Sequence, residues 1–172
     1  MNISLIKKGE PTILKIKDRL GGNGAIYDPI NNALFTFSED AKHVYRWDLK
    51  TGKWDFEIAK YWDVGPLIVG VDGIYFKRKS LFAGEFLGGE KTIEFSSKNF
   101  EILNYYSSPD GAITGITVDN KLDRVIISGF WGFSVIDLIS KKVLKKIRTG
   151  FLPRAAVIDE KNNLVFIAST LD

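Results

Sequence analysis

Cysteine is absent from this 172-residue chain, which also has one histidine, one methionine and only 5 prolines. No thiol means no disulfide framework, no cysteine nucleophile and no thiolate metal site. With His43 as the only imidazole, a three-histidine zinc site cannot be assembled, and a serine triad would have to be built around that one ring. The Gly-x-Ser-x-Gly and His-Glu-x-x-His patterns are missing as well. No apolar run approaches the ~20 residues a spanning helix needs, and residues 1–8 lack the apolar stretch of a signal peptide. These absences predict a soluble, cytoplasmic protein that uses no metal and no cofactor. The sequon Asn2-Ile3-Ser4 then carries no meaning.

Hydrophobic residues make up 45% of the chain and charged residues 26%, which excludes disorder, collagen-like repeats and a membrane bundle. A chain of this length buries roughly 68–70% of its unfolded surface, enough for a core without staples. The 24 basic residues exceed the 21 acidic ones to give a formal charge of +3. The densest basic run, Lys141-Lys142 with Lys145-Lys146-Ile147-Arg148, would alternate between the faces of a strand. It reads as a solvated outer edge, where lysines discourage edge-to-edge pairing. Neither nucleic acid nor a membrane is expected as a partner.

Short runs rich in Ile, Val, Phe, Tyr and Thr recur between turn residues, with almost no helical period. The class is all-β. The runs repeat in a pattern: strand, Asp-led turn with Asn or Asp, strand. Ile26-Tyr27-Asp28-Pro29-Ile30-Asn31-Asn32-Ala33 matches Val157-Ile158-Asp159-Glu160-Lys161-Asn162-Asn163-Leu164. Both match Thr117-Val118-Asp119-Asn120-Lys121-Leu122-Asp123-Arg124, and a shorter version is Val71-Asp72-Gly73-Ile74 with a tight Asp-Gly hairpin turn. The anchors Asp28, Asp72, Asp119 and Asp159 lie 44, 47 and 40 residues apart. A period in the forties with four short strands per unit predicts β-propeller blades.

The second half of each unit repeats too, since Asp48 to Ile58 and Asp137 to Ile147 both span 10 residues. On Val135-Ile136-Asp137, Lys142-Val143-Leu144, Ile147-Arg148-Thr149-Gly150, Pro153 and Leu164-Val165-Phe166-Ile167-Ala168, the chain resembles the YVTN-type repeats related to NHL and WD-repeat propellers. The YVTN tetrapeptide is itself replaced by Val165-Phe166-Ile167-Ala168. Such a resemblance implies architecture and says little of function.

The blade units fall at about 22–62, 63–107, 108–150, and 151–172 completed by 1–20. Residues 151–172 supply two strands of a blade, and residues 3–16 look like the other two, with Ile3 opposite Ser134 and Ile16 opposite Ile147. Joined head to tail, the spacing from Asp159 to Ile3 is 16 residues, against 15 from Asp119 to Ser134. The expected fold is therefore a propeller of four four-stranded blades, closed by pairing the N- and C-terminal strands in one monomer. The alternative is half of an eight-bladed ring made by two chains.

In propellers, function concentrates on loops of one face, those joining strands two to three and four to the next blade. That face is expected to carry Arg19, His43, Trp62, Tyr105, Tyr106, Trp131 and Arg154. Residues 80–90 look like an insertion between strands, whose Phe82 and Phe86 would form a docking knob or fold over the channel. Replacing both by Ser is expected to abolish partner binding and spare the fold. Gly21-Gly22-Asn23-Gly24 lacks the Lys-Ser/Thr of a phosphate loop, and Asp119-Asn120-Lys121-Leu122-Asp123 lacks the ligand spacing of a calcium loop. The function expected is a non-catalytic scaffold binding a protein partner or a small polar ligand. The alternative is a lyase or hydrolase acting on a sugar or lactone in the central channel.

Overall fold

The computed structural model describes residues 2–7, 10–15, 25–37, 44–57, 67–87 and 91–171. Every regular element among them is a strand. The chain opens with a hairpin of β1 (Asn2–Lys7) and β2 (Glu10–Lys15). Three antiparallel four-stranded sheets follow. The first holds β3 (Ile26–Asp28), β4 (Ala33–Phe37), β5 (Val44–Asp48) and β6 (Lys53–Glu57). The second holds β7 (Leu67–Tyr75), β8 (Ser80–Leu87), β9 (Lys91–Ser96) and β10 (Ile102–Ser107). The third holds β11 (Gly115–Asp119), β12 (Arg124–Ser128), β13 (Gly132–Asp137) and β14 (Val143–Arg148). A final hairpin, β15 (Phe151–Asp159) with β16 (Leu164–Leu171), begins a fourth unit.

One local device makes most of the hairpins. Asp28, Asp48, Asp119, Asp137 and Asp159 each end a strand, and in each the Oδ1 atom accepts the backbone N–H groups two and three residues on. The aspartate thus satisfies donors that the strand pairing leaves free. Four residues after each anchor the backbone enters the left-handed region, at Asn32, Gly52, Asp123, Lys141 and Asn163. The second blade keeps this geometry with other residues. Tyr75 and Ser96 hold the anchor positions, and Lys79 and Phe100 are the left-handed residues.

Asp72 is therefore not a turn residue. β7 runs through Asp72 and Gly73, with a register shift there, and turns only at residues 76–79. Glycine is required at 73 by packing, because a Cβ there would meet Val118 Cγ2 at 2.7 Å. The insertion expected at 80–90 is likewise corrected. Its first eight residues are β8, an inner member of the sheet that pairs with both β7 and β9.

The apolar cores lie between blades. One cluster joins Phe35 and Val44 of the first blade to Leu81, Ile93, Phe95 and Phe100 of the second. Another joins Tyr75, Phe82 and Tyr106 of the second blade to Ile116, Val125, Ile127 and Leu138 of the third. Burial of side chains this size stabilises by roughly 1.5–3 kcal/mol each. The first strands stand side by side, β7 against β3 and β11, and β11 against β15.

Polar bonds pin the same seams. Arg46 donates to the carbonyls of Ser97 at 2.8 Å and Lys98 at 3.1 Å. Asn120 accepts from the Phe76 N–H and donates to the Ile74 carbonyl, and the Tyr75 hydroxyl donates to Asp123 at 2.7 Å. Within the second seam Glu94, 1% exposed, receives two guanidinium bonds from Arg78 at 2.8 and 3.0 Å. It also accepts the hydroxyls of Ser80 and Tyr106. Thr117 and Ser128 tie the third blade to the carbonyls of Ala156 and Arg154 on β15.

Among the described residues, the closing pair expected between the chain ends is not seen as a backbone pairing. β1–β2 and β15–β16 are separate two-stranded sheets, and among the described residues no backbone pairing joins them.

Candidate partner-binding site

On the face where the sequence places function, the described loops are residues 108–114, 129–131 and 149–150. They are latched to one another. Ser108 Oγ donates to the Ala112 carbonyl at 2.6 Å and accepts the N–H groups of Asp110 and Gly111. That turn aims the Asp110 carboxylate at the next loop, where its two oxygens accept the Phe130 N–H at 2.7 Å and the Trp131 N–H at 2.6 Å. The Trp131 carbonyl accepts from Thr149, and that of Phe130 from Leu152. Two glycines make the latch possible. A Cβ on Gly129 would strike the Asp110 carboxylate, and one on Gly132 would strike the Ile147 carbonyl.

The latch presents Trp131 half-exposed, with its ring 4.8 Å from the ring of Phe151. Beside it lies a cleft of about 440 Å³ lined by Pro109, Asp110, Trp131, Lys146, Ile147 and Arg148. A second hollow of about 210 Å³ shares Lys146 and is lined by Tyr105, Ser134, Lys141 and Val143. Among the described residues neither Lys146 nor Arg148 has an acidic partner, whereas the Asp110 carboxylate is taken up by backbone N–H groups. The cleft therefore offers an aromatic wall and two cationic side chains to an anionic group.

The residues expected on this face divide. Trp131 lines the main cleft, and Tyr105 lines the smaller hollow at 45% exposure, with Lys91 Nζ 5.5 Å from its ring centre. Arg154 is exposed on β15 and lines neither hollow. Tyr106 is corrected from loop to core: it is 4% exposed and its hydroxyl bonds Glu94. Phe82 is corrected more sharply. It is fully buried on β8 against Tyr106, at 5.8 Å between rings, and cannot act as a knob. Phe86 lies on the same strand. Arg19, His43 and Trp62 lie outside the described residues.

Asp110, Lys146 and Arg148 were not among the expected residues. Ser108-Pro109-Asp110-Gly111 has the composition of any turn, and the two cations belong to a basic run that reads as solvated edge. The only pointer in sequence was that the fourth strand of this unit ends beside an aromatic loop.

No family model matches the chain, and no curated protein is similar to it in sequence. Among solved structures it is similar to hydrazine synthase of Kuenenia stuttgartiensis, with a TM-score of 0.69 and 14% identity, covering 82% of this chain and 40% of that one. It is also similar to U3-55K, with a TM-score of 0.67 and 10% identity, covering 90% of this chain and 53% of that one. The WD40 repeats of RRP9 give a TM-score of 0.69 at 10% identity, covering 90% of this chain and 52% of that one. The chain thus spans about half the length of the solved chains it resembles. No helix among the described residues is long and apolar enough to cross a membrane. The chain is an all-β protein with the β-propeller fold.

Proposed function

We propose that the protein is a non-catalytic propeller scaffold, working in the cytoplasm, that holds a protein partner on its loop face. Its anchor is the Trp131 cleft, and the partner segment it fits is acidic. The observation that carries this reading is the exposed indole, whose backbone N–H is held by Asp110, flanked by two cations that have no acidic partner among the described residues. Trp and Arg dominate binding hot spots, and a side chain already held in place loses little entropy on binding. Similarity to WD40 propellers supports protein interaction at a coarse level. We carry the kinship to YVTN/NHL-type repeats with the same reading, on the strand sequences that suggested it.

The enzyme alternative gains no specific observation. The carboxylates of Asp28, Asp119 and Asp159 are held in turns, and Glu94 is held by Arg78. A random-peptide library selected against the protein tests the proposal. Selected peptides should be enriched in Asp and Glu and lose at least tenfold in affinity for Trp131→Ala and Arg148→Glu, roughly 1.4 kcal/mol or more. Peptides without acidic enrichment, or binding unchanged in both variants, would refute it.

A further inference from the structure

The smaller hollow holds a polar side chain that the fold leaves unused. Ser134 and Ile136 fall on one face of β13, and Ser134 pairs directly with Lys146 of β14, so these side chains share that face. All three residues line the hollow, and Asn104 and Tyr106 of β10 line it from the second blade. The Ser134 side chain therefore points into the hollow and, at 1% exposure, belongs to its floor. Its hydroxyl has no hydrogen-bond partner among the described residues. Among the residues lining the two hollows, Ser134 alone has a buried polar atom in that condition. A buried hydroxyl without a partner costs free energy, which a ligand that accepts its proton returns.

The mouth of the hollow is cationic. Lys141 and Lys146 are both exposed there, and among the described residues neither has an acidic partner. No carboxylate lines the hollow, and that of Asp137, nearest to Lys141 in the chain, accepts the N–H groups of Ile139 and Ser140. We propose that this hollow takes a phosphorylated side chain of the partner, next to the acidic group held by the Trp131 cleft. The inference rests on the partner reading above, because Lys146 lines both hollows and one segment would span them. A phosphate monoester carries about two negative charges and three acceptor oxygens, which match two ammonium groups and one free hydroxyl. A carboxylate has one charge and two oxygens, so it would leave an ammonium uncompensated. A nucleic-acid phosphodiester also has one charge, with two unesterified oxygens for three donors.

Two pools of short Asp- and Glu-rich peptides, alike except for phosphoserine or glutamate at the centre, test this by fluorescence anisotropy. The phosphoserine pool should bind roughly tenfold more tightly, the gain from added charge-assisted hydrogen bonds. Ser134→Ala and Lys141→Gly should each remove most of that advantage without lowering the thermal midpoint. The first deletes a hydroxyl that bonds nothing, and the second puts glycine at a φ of 60°. Trp131→Ala should weaken both pools alike and keep their ratio. Equal binding of the two pools, or an advantage intact in both hollow variants, would overturn the proposal. The Trp131 cleft reading would survive that result if both pools still lost affinity in Trp131→Ala, whereas binding of neither pool would remove both readings. An oligouridylate or inorganic phosphate that binds as tightly as the phosphoserine pool, with the same dependence on Ser134 and Lys141, would also overturn it. The hollow would then belong to an RNA backbone or to free phosphate.

Discussion

At the residue scale, the aspartate turns explain why the repeat is visible in sequence at all. The anchors at 28, 119 and 159 are legible because only a short acceptor side chain reaches the two N–H groups ahead of it. Tyr75 and Ser96 fill equivalent positions and were not legible. Tyr75 gives up the turn and sends its hydroxyl to Asp123 of the next blade instead. Two predictions belong here. Lys141 holds φ near 60° at an exposed turn, a conformation glycine adopts freely, so Lys141→Gly should stabilise by about 0.5–1 kcal/mol in urea titration. The turn N–H groups hold the carboxyls of Asp48 and Asp137 below their ordinary value of 3.8, and the Asn162 side-chain amide, with the turn N–H groups, does the same for Asp159. Their contribution is full above that value and is lost as pH falls below it, so the urea midpoint should drop on acidification.

At the element scale, the second blade was the least legible. Its Asp72-Gly73 pair imitates a hairpin turn, and Phe82 and Phe86 looked too apolar for anything but a loop with a purpose. The physical reason is that β8 is an inner strand with apolar residues facing both seams, so no alternation marks it. Phe82→Ser is therefore expected to cost about 3–5 kcal/mol of stability, read by thermal denaturation, where the sequence suggested an intact fold. The Arg78–Glu94 pair makes a second case. Truncating Glu94 to Ala strands a guanidinium in the seam and should cost about 3 kcal/mol, while the same substitution at exposed Glu101 should cost almost nothing.

The pH response of this seam has a defined sign. Burial, reinforced by Asp123 for Tyr75 and by Glu94 for Tyr106, pushes both phenols up from 10.0 to about 12. Below pH 10 both states keep their protons. Between 10 and 12 the unfolded chain ionises first, so stability falls as pH rises through that window. Tyr106→Phe should flatten part of that fall in urea midpoints taken across it. The loop latch has its own test at this scale. Gly132→Ala should displace Trp131, raising its exposure and red-shifting its emission, since the added Cβ has the Ile147 carbonyl in its way.

At the scale of the whole molecule, the propeller class and the two half-blades at the chain ends were both legible from spacing. The mode of closure was not, because counting residues cannot tell whether the complementary hairpin comes from the same chain. Packing between blades was not legible either, since Gly73 and Gly84 are needed there only because a Cβ would strike Val118 and Ile113 of the next unit.

The most direct measurement of the account is titration calorimetry of an Asp- and Glu-rich peptide from the library against the protein and its Trp131→Ala and Arg148→Glu variants. The account predicts at least tenfold weaker binding in both variants, with the fold intact by circular dichroism. Equal affinity in all three proteins would contradict it.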